Sequence, residues 1–410
     1  MKIKISNLYS IVICLLCFAM TDKLSILPIP FINNIWNWRF ACFLLGCITF
    51  FSFFGNVWNI NGKSKPYFKV YKFYIPFFFL AMIILFVYSM QSYNESIYDV
   101  LIASMGQFYV LLFPAIIYIY IKEDGIEDFF ELLNKMLIIV VLLYVFANIL
   151  YLGSGINIFK VSLRYGHLRF DPPFFGGILC LYNLWKYIID RKRYNLFLVI
   201  GYLLYLFTMS GTRAEMISLV VALILEVLIF RKNIDNQIIV IAITIIAITI
   251  ANYCGLFDRI IDSFGQSSDL SLSTSVRMEA LEYFKAIQKK TPLVGMGYIR
   301  GKVKLSWDNI LYGPYDKYVF SDVGVLGFFY KTGYLSFIII GIPFARIIYL
   351  YIKTIIKRSK NKLNQCNALL TSIFVYFSIC QVSLSVTDVQ RSLLLPIVWA
   401  TFEYIAYKKV

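Results

Sequence analysis

The chain has 410 residues, of which 60% are hydrophobic and only 15% charged, with a mean hydropathy of +0.72. A soluble globular domain carries roughly 25% charged residues, so a soluble fold is excluded. The net charge of +16 would point to nucleic acid in a soluble protein; here it follows membrane topology and implies no nucleic-acid partner.

Apolar blocks recur near 7–22, 38–57, 73–90, 100–121, 136–152, 173–189, 195–209, 214–230, 237–254, 322–351, 366–386 and 392–407. About 20 apolar residues cross the ~30 Å hydrocarbon layer as a helix. Continuous runs exclude the alternating pattern of a membrane barrel. The expected fold is therefore all-α, a polytopic membrane protein with about twelve transmembrane helices and one large extracytoplasmic loop. Helices one to nine would occupy 1–254, the cap loop 255–321, and helices ten to twelve 322–410, as a single integral membrane domain.

Lysines and arginines crowd alternate connections, among them Lys63, Lys65, Lys69, Arg191, Lys192, Arg193, Arg231, Lys357, Arg358 and Lys408. Basic connections face the cytoplasm, which puts both termini there and makes this a multi-pass membrane protein. The first block lacks a small-residue cleavage site and reads as a retained helix. Cys14-x-x-Cys17 has metal or redox spacing but sits inside that block, so buried packing is the preferred reading. Segment 122–135 reads as a short amphipathic stretch on the inner surface. Against this bias, Arg164, Arg169, Arg213, Arg277 and Arg391 fall where blocks meet the outer water layer. Fixed cations there require a reason.

The first such cluster is Arg164-Tyr165-Gly166-His167-Leu168-Arg169-Phe170-Asp171-Pro172-Pro173, leading into Gly176-Gly177 and the next helix. Guanidinium groups grip phosphate oxygens with paired hydrogen bonds that lysine lacks. His167 reads as a base, a phosphate donor or a plain surface residue; Asp171 as a partner for Arg169 or a helix cap. The second cluster is Ser210-Gly211-Thr212-Arg213-Ala214-Glu215. Thr212-x-x-Glu215 fits a capping box, preferred over a catalytic role for Glu215. Arg213 opposes the helix dipole, so an anion held between it and the helix start is the reading favoured over lipid-phosphate anchoring.

In the large loop, Val276, Ala280, Tyr283, Phe284 and Ile287 fall on one helical face, with Arg277 near the helix start and Pro292-Leu-Val-Gly295-Met-Gly297 ending it. Trp307, Tyr312 and Tyr315 are candidates for stacking on sugar rings, with interfacial anchoring the equal alternative. Ser321 or Asp322 would cap the tenth span, and Asp322 is also the first candidate for a general base. Lys331 and Glu226 lie within spans, either as functional charges or as a snorkelling or mutually paired couple. The outer loops hold no Asp-x-Asp, no His/Asp cluster with metal-ligand spacing and no phosphate-binding glycine loop, which argues against a metal-dependent nucleotide-sugar transferase or an ATP-driven pump.

Three patterns resemble the O-antigen polymerase and O-antigen ligase superfamily: Ser210-Gly211-Thr212-Arg213, Arg277 through Gly297, and Ser321-Asp322-x-Gly324 followed by Lys331-Thr332-Gly333. The match covers roughly 150–340 by motif and the chain by topology. Ligases of that group carry a histidine where this chain has Ser321-Asp322, a departure that favours a repeat-unit polymerase. The resemblance implies undecaprenyl-diphosphate-linked glycans as donor and acceptor, with no metal or other cofactor. Arg164, Arg169, Arg213 and Arg277 would hold the diphosphate, and Asp322 or His167 would act as base. Flippase and chain-length regulator proteins are implied partners, besides membrane lipids. The rivals are a ligase, a polyprenyl-phosphate-sugar transferase and a lipid-linked oligosaccharide flippase.

Overall fold

A computed structural model describes residues 5–21, 34–58, 66–122, 125–159, 161, 163–164, 167–210, 212–230, 269–300, 310–313, 318, 320–357, 364–383 and 389–407. Its helices are α1 (Ile5–Ala19), α2 (Ile35–Trp58), α3 (Lys69–Tyr93), α4 (Ile97–Ser104), α5 (Phe113–Ile121), α6 (Gly125–Ser154), α7 (Gly176–Asp190), α8 (Arg193–Tyr205) and α9 (Arg213–Ile229). They continue with α10 (Asp269–Lys290), α11 (Gly324–Thr332), α12 (Ile342–Lys357), α13 (Asn364–Ser383), α14 (Val389–Ser392) and α15 (Leu394–Tyr407). Two-residue strands β1 (Leu163–Arg164) and β2 (His167–Leu168) pair antiparallel, with Leu163 opposite Leu168 and Arg164 opposite His167.

Five stretches are long and apolar enough to cross a membrane: Ile35–Gly55, Lys69–Tyr93, Ile97–Ile121, Gly125–Ser154 and Phe337–Ile356. This is an all-α, multi-pass membrane architecture. Leu8–Ala19, Asn367–Gln381 and Leu394–Tyr407 are shorter apolar helices, so twelve full-length spans are not seen among the described residues. The expected span 237–254 lies outside them.

Burial follows from the solvent. Phe51, Phe77, Ile83, Leu142 and Ile149 are exposed on the long helices, a pattern that would invite association in water and suits contact with lipid chains. The interior is aromatic. Trp399 packs on Phe113, Tyr74 and Tyr71 at ring separations of 4.6, 5.4 and 5.7 Å. Ile97–Ile121 is the most enclosed of the five stretches, passing through a 3₁₀ turn at Met105–Leu112 whose tight winding brings α4 into α5. Cys14, Cys17 and Cys42 are free and buried in this core.

Two expectations are corrected. Segment 122–135 is no separate surface stretch: α6 runs unbroken for 30 residues from Gly125. Phe129, Phe130 and Leu133 in its first turns are buried, and Glu127 pairs with Lys186 of α7. Apolar residues at helical spacing in that acidic stretch kept the helix going.

The expected helix 322–351 is broken. α11 ends at Gly333, whose φ of 58° and ψ of −148° no other residue adopts cheaply. There it meets the Pro292–Gly297 segment. Met296 and Gly297 N–H groups donate to the Tyr330 and Lys331 carbonyls, while Tyr334 and Leu335 N–H groups donate to those of Pro292 and Leu293. A Cβ on Gly333 would lie 2.5 Å from the Pro292 and Leu293 oxygens, and one on Gly295 (φ 60°) 2.4 Å from the Tyr330 oxygen. Two motifs 30-odd residues apart thus form one backbone clasp. Gly295→Ala or Gly333→Ala should each destabilise the detergent-solubilised protein by about 1–3 kcal/mol, read as a lower melting midpoint. Gly201→Ala, on an open helix face with nothing within 4 Å of its Cβ, should cost nothing. Equal midpoints for all three would rule out the clasp.

Candidate functional site

The site is built where α7, α8, α9, α13 and α14 converge beside the 163–177 segment. That segment is held by side chains of α6 and α8. Asn148 of α6 accepts from the Leu168 N–H at 2.9 Å. Phe170 is fully buried, stacked on Tyr144 at 4.3 Å and meeting Phe159 edge-on at 5.4 Å. The Tyr205 hydroxyl lies 3.4 Å from the carbonyl oxygens of both Phe170 and Asp171. The chain then enters α7 through Gly176 and Gly177, which leave room for two phenol rings. A Cβ at Gly176 would fall 2.3 Å from the Tyr202 hydroxyl, and one at Gly177 2.1 Å from Cζ of Tyr376.

Those two tyrosines converge on Glu215. Both hydroxyls donate to its Oε1, Tyr202 at 3.0 Å and Tyr376 at 3.2 Å. Its Oε2 faces Nη1 of Arg391 at 3.9 Å, and the carboxylate is completely buried. One turn on, Ser218 shares a hydrogen bond with Cys380 at 3.0 Å, fastening α9 to α13. Burying a carboxylate is costly unless it is paired and hydrogen-bonded; here Oε1 takes the two hydrogen bonds and Oε2 the arginine. α8 reaches the site through a π-helical turn, Leu206–Ser210; such turns are common where a helix is bent to serve a site. Ser210 and Thr212 hydroxyls then meet at 2.9 Å, and α9 begins at Arg213.

This corrects the capping-box reading. Thr212 makes no side-chain cap on α9, and Glu215 turns into the bundle instead of back to the helix start. The capping sequence was present, but two phenols and a guanidinium offered the carboxylate better partners than one backbone N–H.

The candidate residues fall into three groups. Arg169 lies in the site's approach segment, exposed and 3.9 Å from Asp171, so Asp171 pairs with it and does not cap α7, whose first-turn cap is Phe175. A pair so exposed is worth about 0–1 kcal/mol. Arg164 and His167 are opposite in register in the backbone pairing of β1 and β2, and Arg213 starts α9 two residues before Glu215. Arg277 is exposed on α10, whose main contacts are with α11 and the 320–323 turn. Asp322 lies in the 3₁₀ turn Phe320–Val323, which packs on α10 and α13. The residue at the N-cap position of α11 is Val323, which makes no side-chain bond.

Of the aromatic candidates, Trp307 and Tyr315 lie outside the described residues, and Tyr312 is exposed. A small second core comprises Ala280, Phe284, Met296, Ile299, Leu311, Tyr318, Val323 and Tyr330. Phe284 stacks on Phe320 at 3.9 Å, and Tyr283 donates to the Ile310 carbonyl at 3.2 Å. Burial, then the neighbouring Tyr318, push the Tyr283 phenol above its usual range, so it stays a donor. Arg300 ties this layer to the start of α4 through Asp99 at 2.8 Å.

Lys331 and Glu226 do not pair. The Lys331 ammonium lies over the Tyr298 ring at 5.1 Å. Glu226 is fully buried on α9 beside Ser372, and neither carboxylate oxygen meets hydrogen-bonding geometry among the described residues. Neither a protein-family model nor a curated protein matches the chain.

Proposed function

We propose that this protein is a membrane-embedded glycosyltransferase of the O-antigen polymerase type. It joins undecaprenyl-diphosphate-linked repeat units into O-antigen or capsular polysaccharide at the outer face of a bacterial cytoplasmic membrane. The observation that carries the proposal is the Glu215–Arg391 pair braced by Tyr202 and Tyr376. It keeps one arginine oriented beside the start of α9 at Arg213, close to the approach segment that bears Arg169. A held cation is what a departing diphosphate needs.

In the proposed reaction an acceptor sugar hydroxyl attacks the anomeric carbon of the donor. The new C–O bond forms as the bond to diphosphate breaks, and the electron pair leaves with undecaprenyl diphosphate. Arg213 and Arg391, with Arg164, Arg169 and Arg277 as further candidates, would stabilise the charge developing on that leaving group. The hydroxyl proton passes to Asp322, or to His167. The lipid carrier activates the donor, so the scheme assigns no role to a metal. Ser321-Asp322, where ligases of the group have histidine, favours polymer growth over transfer to a lipid core.

The test is a deletion strain complemented with variants. Arg213→Ala and Arg277→Ala should abolish chain lengthening, leaving single repeat units on the lipid core, with membrane insertion unchanged. Asp322→Asn keeps shape and removes basicity, and should lower polymer yield by about 10²-fold or more. A bare core in the deletion strain would identify a ligase instead, and normal polymer from both arginine variants would refute the assignment.

A further inference from the structure

Glu226 lies in the last turn of α9, a helix that packs on α7 and α13. Its side chain is fully buried, and neither oxygen finds a donor in hydrogen-bonding geometry among the described residues. The neighbours it faces are Cys180 of α7 and Ser372 of α13, both buried as well. A thiol is at most a weak donor.

No cation of these three helices is placed to balance a charge there. α13 carries no charged residue at all. The only basic residue of α7, Lys186, is held by Glu127 and Asp190. The only one of α9 is Arg213, at the opposite end of the helix and about 20 Å away along its axis.

The hydrogens point the same way. The Ser372 hydroxyl donates to the Leu369 carbonyl at 2.9 Å, so its one hydrogen is committed and its oxygen is left to accept. A hydrogen shared between Ser372 and Glu226 must then come from the carboxyl. The last turn is also the negative end of the helix dipole, which opposes an anion. In an apolar interior a carboxyl without a cation or a donor keeps its proton, because the bare charge costs far more than the neutral acid.

We infer that Glu226 is a buried proton-binding site, a carboxylic acid that holds its proton at neutral pH between α7, α9 and α13. Glu215 and Glu226 lie three turns apart on one face of α9, yet their surroundings give them opposite states. Glu215 has two phenols and a guanidinium; Glu226 has the proton alone. Removing that proton would put an unpaired charge into the α9–α13 contact, which also seats Tyr376 on Glu215 and Cys380 on Ser218. Proton occupancy at Glu226 is thereby linked to the packing of the Glu215 cluster, whatever reaction that cluster serves.

The experiment records infrared difference spectra of the full chain in detergent at pH 7, wild type against Glu226→Gln. A neutral carboxylic acid has a C=O stretch that carboxylates and amides lack. The difference should contain one such band, lost completely in the variant, and Glu226→Gln should melt at the wild-type midpoint because one neutral group replaces another. Ser372→Ala should shift the same band without removing it, and it provides the reading if Glu226→Gln does not fold. Spectra in sodium chloride and in choline chloride at equal ionic strength should coincide. Carboxylate bands in place of the acid band, or a Ser372→Ala spectrum without any displaced acid band, would overturn the proton site. An acid band that sodium abolishes would overturn it in favour of a metal-cation site.

Discussion

Glu403→Ala should destabilise this protein by about 3–5 kcal/mol, the cost of leaving one member of a buried ion pair alone. Arg346 of α12 meets Glu403 of α15 through two parallel bonds, Nε to Oε1 at 2.7 Å and Nη2 to Oε2 at 3.0 Å. The carboxylate is wholly buried and the guanidinium nearly so. Trp399 Nε1 adds a third bond to Oε1 at 3.2 Å, and the Tyr407 hydroxyl accepts from Nη2 at 3.1 Å. Lys353 also donates to that hydroxyl, at 3.2 Å. Both Glu403 oxygens and the Nε and Nη2 of Arg346 thus have partners, which is the condition under which a buried pair holds. The same logic predicts that the double replacement Arg346→Met with Glu403→Met costs far less than either single change, since no charge is then stranded. Melting midpoints of the three proteins decide this. Additive losses would show that the residues act independently.

How legible this was in the sequence depended on the range of each interaction. Apolar runs of about 20 residues report directly on helices crossing hydrocarbon, and the long stretches at 35–55, 69–93 and 97–121 lie close to their expected places. α6 and α11 were harder. A charged start did not stop α6, because its apolar residues kept helical spacing. Gly333 ended α11 because four backbone bonds to a segment 40 residues earlier required a left-handed residue there. The motifs Pro292–Gly297 and Lys331–Gly333 were visible singly, and their contact was not.

The arginines show the same division. Their occurrence at block ends was plain, but Arg391's partner lies 176 positions earlier at Glu215, beyond any local pattern. Tyr202 and Tyr376 were two among 31 tyrosines. The available signal was Gly176-Gly177: adjacent small residues at a helix start leave space that something large must fill.

Glu215→Gln is expected to separate the role of that cluster in folding from its role in function. Glutamine keeps an oxygen to accept from Tyr202 and Tyr376, and it removes the charge that faces Arg391 at 3.9 Å. Stability should fall by no more than about 1–3 kcal/mol, the scale of a weakened charged hydrogen bond, while the proposed polymerase activity should be lost if it depends on Arg391 being oriented. Glu215→Ala is harsher. It strands a largely buried guanidinium and two phenol hydroxyls together, at a cost of about 3–5 kcal/mol. Glu215→Asp retains the charge on a shorter arm and should restore part of the activity that Gln loses. A coupling of about 0.5–3 kcal/mol between Glu215 and Arg391 in a double-mutant cycle would establish that the 3.9 Å pair acts as one unit. Full activity in Glu215→Gln at unchanged polymer length would leave the cluster a brace for α7, α9 and α13 and nothing more. A cation for the proposed diphosphate leaving group would then have to be sought at Arg213 or Arg169.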